Sequence, residues 1–328
     1  MGVCASTDDI VHFWTELLRR GDPRLAERPM KNRRNWKSQA LPIALHGDVV
    51  PVLSVGKANP KSFDTYSIQG VFCRGPTLLI KQLVFGVWTN QITEFTNQEL
   101  WRIVNWSLFW LYKGKWPPVD WNAEPWTDAH PAEKEMAGKP LADGLFAVLL
   151  CLKGDLDYFA KALHLRHYNA NEMCDMCPAH RISDDPDGLY NNFSASASWM
   201  GRLFSAAEWR SLYDGKFLHW LFHLVGVNQH CLEPDELHVW HLGVAQYAIG
   251  SVLFVLTYQV LADTPQRNMD HVWKHICEFY HQHATNTQYS HLGLRSFCHS
   301  LRPHEFFPCL KGNGVEATNL LPAIRDTW

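Results

Sequence analysis

The run Leu145-Phe-Ala-Val-Leu-Leu-Cys-Leu152 constrains this chain more than any other stretch. A strand with no polar alternation must be covered on both faces, so the chain needs a sheet with layers above and below it. The run stops at Lys153-Gly154-Asp155, after which Tyr158, Phe159, Ala162 and Leu163 recur at helical spacing. A carboxylate therefore stands between a central strand and the helix that packs back onto it, which is where open α/β sheets hold their chemistry. Taken alone, Asp155 reads first as the cap of that helix.

The same signature occurs upstream. Pro42-Ile-Ala-Leu-His46 is a second apolar segment that runs into Gly47-Asp48. Val49 to Val55, Thr65 to Phe72 and Thr77 to Trp88 read as further strands, with a turn-rich break from Gly56 to Ser62. From Phe95 to Trp116 the period becomes helical, with Leu100, Val104, Leu108 and Leu111 on one face and Thr96 or Asn97 as cap. The order is strand, strand, strand, helix, strand, helix, with acids at the ends of the first and fourth strands.

At 46% apolar and 13% aromatic residues, fifteen of them Trp, the chain can bury a large core and is not a disordered protein. A net charge of -3 gives no global attraction to nucleic acid, so any such binding needs a local patch. One patch lies between Arg19 and Lys37, where Arg33, Arg34 and Lys37 read either as a phosphate-contacting arm or as a solvated surface. The acidic opening without an apolar run reads as lacking a secretory signal, and nine Cys then read as reduced, intracellular thiols. From Trp199 to His299 aromatic stripes at helical spacing predict helices. Leu242 to Ala262 carries no charge over 21 residues, long enough to span a bilayer. Gln246, Ser251, Thr257 and Gln259 recur through it and neither flank has a Lys/Arg cluster, so it reads as a buried helix rather than a membrane span.

Further signals follow in order. Cys174-Asp-Met-Cys177 comes after Asp155, Asp235-Glu-Leu-His238 precedes a Leu-Gly, and Lys311-Gly-Asn-Gly-Val-Glu316 enters a last helix. As an ordered set spanning roughly residues 40 to 328, these resemble the catalytic core of eukaryotic cut-and-paste DDE transposases, nearest to the CACTA and Plavaka-like group. The resemblance implies an α/β fold: a ribonuclease-H-like mixed sheet flanked by helices and interrupted by an α-helical insertion domain. It divides the chain into a basic segment (1–40), the core with its Cys-x-x-Cys (41–198), the insertion (199–300) and the end of the core (301–328), read as cut short after its last helix. It implies that Asp48, Asp155 and Glu316 hold two Mg²⁺ or Mn²⁺ ions, that His238 lies near the scissile phosphate, and that Cys174 and Cys177 bind a structural Zn²⁺ with His299 and His304. The partner would be double-stranded DNA, bound in the nucleus by a homodimer or higher oligomer.

The chemistry requires such a set. In-line displacement at a phosphodiester needs the attacking and leaving oxygens stabilised together, which two hard divalent ions held by carboxylates achieve. Each residue also has a plainer reading: Glu316 as a first-turn helix Glu favoured by the dipole, His238 as partner of Asp235 in a cap, and the whole chain as an inactive transposase-derived remnant that binds DNA or protein.

Overall fold

A computed structural model describes residues 5–53, 61–298 and 307–327. The chain separates into two compact units, Met1–Glu233 and Pro234–Trp328. The first is built on a five-stranded mixed sheet in the order β3-β2-β1-β4-β5, comprising β1 (Ala40–Leu53), β2 (Lys61–Gly70), β3 (Gln82–Trp88), β4 (Phe146–Gly154) and β5 (Leu232–Pro234). β1 is antiparallel to β2, β2 is antiparallel to β3, and β1 runs parallel to β4.

The apolar run becomes β4, and both its faces are covered as its composition demands. Leu149 and Leu152 join a core with Trp101, Val104 and Leu108 of the Glu94–Lys113 helix. Phe146, Val148 and Leu150 join a second core with Ile10 and Trp14 of the Thr7–Arg19 helix and with Trp36. The Trp14 indole donates to the Ala40 carbonyl at 2.8 Å, tying that layer to the start of β1. The sheet is thus sandwiched between helical layers.

Three sequence expectations need correction. β1 does not end at Gly47-Asp48: its pairing with β2 continues to Leu53, because Val49 and Val50 still have a hairpin partner. Thr77 to Trp88 is a short helix, Thr77–Ile80, followed by β3. Residues 199 to 233 are largely loops and short turns, and Phe217 to Leu224 contains only the 3-10 turn Trp220–His223. The aromatic stripe there marks burial instead of helix, since Phe204, Trp209, Leu221 and Phe222 pack into the core beneath the sheet.

The second unit is helical. Leu237–Val260, Pro265–Gln282 and Gly314–Thr327 surround a core of Ile249, Leu253, Met269, Val272, Ile276 and Leu320. Buried Asn268 donates to the Thr257, Leu261 and Asp263 carbonyls at 2.8, 3.1 and 2.9 Å, fixing the turn between the first two helices. By length and composition the Leu237–Val260 helix could cross a membrane, and its face includes exposed Val239, Trp240, Val244 and Tyr247.

Candidate functional site

The two Gly-Asp steps are linked by one aromatic ring. Tyr158, in the first turn of the Leu156–Ala162 helix, is buried, and a Cβ on either Gly47 or Gly154 would overlap its ring. Each glycine is therefore the space that ring needs, and each aspartate is the next residue along. The last pair between β1 and β4 sets His46 opposite Lys153, and Asp48 and Asp155 each follow two residues further along their chains. β4 stops at Gly154 while β1 continues, which leaves the flank of β1 open on that side.

A cleft of about 460 Å³ occupies this opening, lined by Asp48, Asp64, Tyr66, Asp155, Asp157, Tyr158 and Lys161 among others. Asp155 caps the helix, its Oδ1 accepting from the Tyr158 N–H. Asp157 pairs with Lys161 at 2.7 Å. Asp48 is exposed on β1.

Asp64 is the residue that sequence reasoning missed. It lies on β2 opposite Val49, one step from Asp48 in the hairpin register, and is 8% exposed. Burial pushes its carboxyl up to about 6; the Tyr66 hydrogen bond works against this and the charge of Asp48 adds to it. The Tyr66 hydroxyl donates to Oδ2 at 3.2 Å, and Oδ1 has no hydrogen-bond partner among the described residues. A buried acceptor left unmade is costly. In the sequence Asp64 is one polar residue in a hairpin strand, and only the register against β1 shows where it points.

The cleft offers oxygen donors alone among its acids, which is ligand chemistry for a hard cation. No group of three or more His, Cys, Asp or Glu among the described residues is gathered tightly enough to hold an ion. The cleft is therefore a wall of carboxylates with no closed cage.

The remaining sequence-derived residues fall in other places. Asp235 and His238 form a local cap in the second unit: Asp235 Oδ1 accepts from the His238 N–H at 2.9 Å, and its Oδ2 lies 2.9 Å from the ring Nδ1. Glu316 closes a capping box with Asn313, its Oε2 accepting from the Asn313 N–H at 3.0 Å while Asn313 Oδ1 accepts from the Glu316 N–H at 2.9 Å. Both arrangements satisfy helix-terminal donors.

Cys174 and Cys177 are free thiols close enough to interact, and burial together with Cys174 pushes the Cys177 thiol up to about 11. Two sulfurs supply half of a tetrahedral zinc site. No third ligand stands beside them among the described residues, and His299 and His304 lie outside those residues. Asp175 fixes the loop between them, accepting from Trp209 Nε1 at 3.0 Å and the Tyr213 hydroxyl at 2.6 Å.

In the basic segment, Arg28 is buried and donates to the Leu149 carbonyl at 2.8 Å, while Arg24 pairs with Asp22 and Glu233. Arg33 lies over the Phe146 ring at 4.2 Å and Lys37 donates to Thr15 at 3.1 Å, whereas Arg34 is exposed. Several of these cations thus brace the N-terminal layer. Comparison with protein-family models and with characterised proteins returned no match to this chain.

Proposed function

We propose that the chain is a DNA transposase catalytic core, a metal-dependent enzyme that cleaves and rejoins DNA phosphodiesters. The observation that carries this reading is that Asp48 and Asp155, each two residues past the last pair of the parallel β1 and β4, line one cleft that also holds buried Asp64. The strand order β3-β2-β1-β4-β5, with an antiparallel hairpin on one side of β1 and a parallel strand on the other, supports the ribonuclease-H-like part of the resemblance.

In this reading Asp48 and Asp155 ligate Mg²⁺ or Mn²⁺, and Asp64 keeps the ligand wall negative from beneath. Two such ions, when bound, supply charge to the attacking and leaving oxygens of an in-line displacement. Asp155 is positioned for this by its cap bond, which fixes one oxygen toward the helix N-terminus. The Tyr158 ring fills the floor and keeps the strand ends together. Glu316 and His238 carry the roles of last acid and phosphate-adjacent group from the resemblance alone, as Arg33, Arg34 and Lys37 carry that of a DNA contact and the Cys pair that of a zinc staple. Nuclear location and assembly on DNA as a dimer or higher oligomer belong to the same proposal.

A second reading is favoured by a specific observation: Asp155, Asp235 and Glu316 all serve as helix caps, as they would in an inactive remnant that retains only a DNA- or protein-binding surface. Nicking of supercoiled plasmid decides between them. With Mn²⁺ the wild type is expected to nick, and Asp48→Asn, Asp155→Asn and Glu316→Gln each to abolish it while still folding. Nicking that persists in Asp48→Asn and Asp155→Asn, or is absent in the wild type, rejects the enzyme.

A further inference from the structure

Beside the acidic cleft lies a larger cavity of about 510 Å³, and the two share Ile92, Asn97 and Ala162 as a common wall. Its chemistry is different. Glu94 is the only carboxylate among its lining residues and already accepts from Gln98 Nε2 at 3.3 Å. Five of its eleven lining residues carry aromatic rings. Trp101 and His219 meet at 4.6 Å and nearly at right angles, and His164 and Phe217 meet likewise at 5.1 Å. Phe217 and Trp220 are 49% and 39% exposed, so their rings remain available to a ligand.

One buried polar atom in this wall has no partner among the described residues. His219 is 2% exposed, and its Nδ1 accepts from the Leu221 N–H at 3.3 Å, so the neutral ring carries its proton on Nε2. Nε2 has no hydrogen-bond partner among the described residues. Burial, with the nearby His164 and His223, holds this imidazole down to about 3, so it stays a neutral donor across the working pH range. The Asn97 and Gln98 carboxamides line the same cavity.

A cavity of this size with aromatic walls, a few amides and a neutral N–H fits a flat, uncharged, heteroatom-rich ring. Phosphate would meet no cation here. Aromatic platforms take nucleobases with little regard to sequence, and amide and N–H groups match the acceptors and donors on base edges. We propose that this cavity receives a single unpaired nucleobase of the DNA whose backbone lies in the neighbouring acidic cleft, stacked on Phe217 and Trp220 and met at its edge by Asn97, Gln98 and the unpartnered donor of His219. The proposal rests on the nucleic-acid reading of the cleft. The base can be extruded from a duplex or can belong to a single-stranded end, and both present the same ring.

The test measures binding of the intact chain, in Ca²⁺, to three labelled oligonucleotides: a fully paired duplex, that duplex with one unpaired adenine, and that duplex with a single-stranded overhang. Stacking of one base predicts about tenfold tighter binding to an unpaired form than to the paired duplex. A preference for the unpaired-adenine duplex assigns extrusion, and one for the overhang assigns a strand end. Phe217→Ala combined with Trp220→Ala should bring the ratio to about one. In the unaltered protein, 2-aminopurine at the unpaired position should be quenched on binding, a readout that needs no variant. Equal affinity for all three DNAs, a preference that survives the double substitution, or unquenched 2-aminopurine overturns the inference. If the protein nicks DNA with Mn²⁺ yet shows no preference, only the base pocket is rejected; if it binds no DNA at all, the pocket and the proposed function are rejected together.

Discussion

Asp48 and Asp64 of the sheet unit and the acids of the helical unit are held in opposite ways. In the helical unit Asp235 and Glu316 each accept from a backbone N–H three residues away, so local structure accounts for them. In the sheet unit Asp48 and Asp64 come from two paired strands and Asp155, itself a helix cap, follows the end of a third, and they line one cleft in which the buried Asp64 carboxyl has an oxygen without a partner among the described residues. A cap stabilises its own helix. A gathering of like charges at the end of a sheet costs stability, and a fold retains such a cost where a site needs it. The comparison teaches that an acid's residue type and strand-end position are weaker indicators than whether its surroundings already satisfy it.

The largest expected effect tests how the cleft is built. Gly47→Ala and Gly154→Ala should each cost about 3 kcal/mol, because the added methyl meets a buried Tyr158 ring that cannot swing into solvent. Urea unfolding measures this. A loss below about 1 kcal/mol in both would mean that the ring does not set the strand ends, and the pairing of Asp48 with Asp155 would lose its physical basis.

Next is Asp64. Its folded-state pKa is raised from the ordinary 3.8 to about 6. Such a carboxyl contributes most to stability below about pH 4, where it is protonated in both states, and this contribution is lost as pH climbs through 6. At about 1.4 kcal/mol per pKa unit, the ionised group costs at most about 3 kcal/mol at neutral pH. Asp64→Asn should therefore be more stable than wild type at pH 7.5 and lose that advantage at pH 4, as read by thermal melts at both values. An advantage of equal size at both pH values would remove the charge from the explanation.

The smallest effect belongs to the helical unit. Asp235→Ala and Glu316→Ala should each cost about 1 kcal/mol in EDTA, the ordinary worth of a cap. A gain in stability from either substitution would place these acids in the same repelling class as Asp64 and dissolve the contrast.

Much of this was legible in the sequence because it rests on local pattern. The apolar run at Leu145–Leu152 and its twin before Gly47 set the two central strands, and the Gly-Asp steps marked two of the cleft acids, Asp48 and Asp155. The reason for those glycines was not legible, since it lies in a ring at Tyr158 that reaches across to another strand. Asp64 escaped for the same reason: its position depends on hairpin register, which no local period encodes. The stretch from Trp199 to Glu233 was misread because aromatic residues at helical spacing also occur in loops that bury them against a sheet. Phe204 and Phe222 do so here.

The most direct test of the central claim, that the cleft acids form a hard-cation site, is a thermal melt with and without Mn²⁺. The account predicts that Mn²⁺ raises the melting temperature of the wild type by mass action, about 2.7 kcal/mol at a hundredfold excess over Kd. Asp48→Asn and Asp155→Asn should melt no lower than wild type in EDTA and should not respond to Mn²⁺. A wild type whose melting temperature ignores Mn²⁺, or a response that survives in both variants, would contradict it.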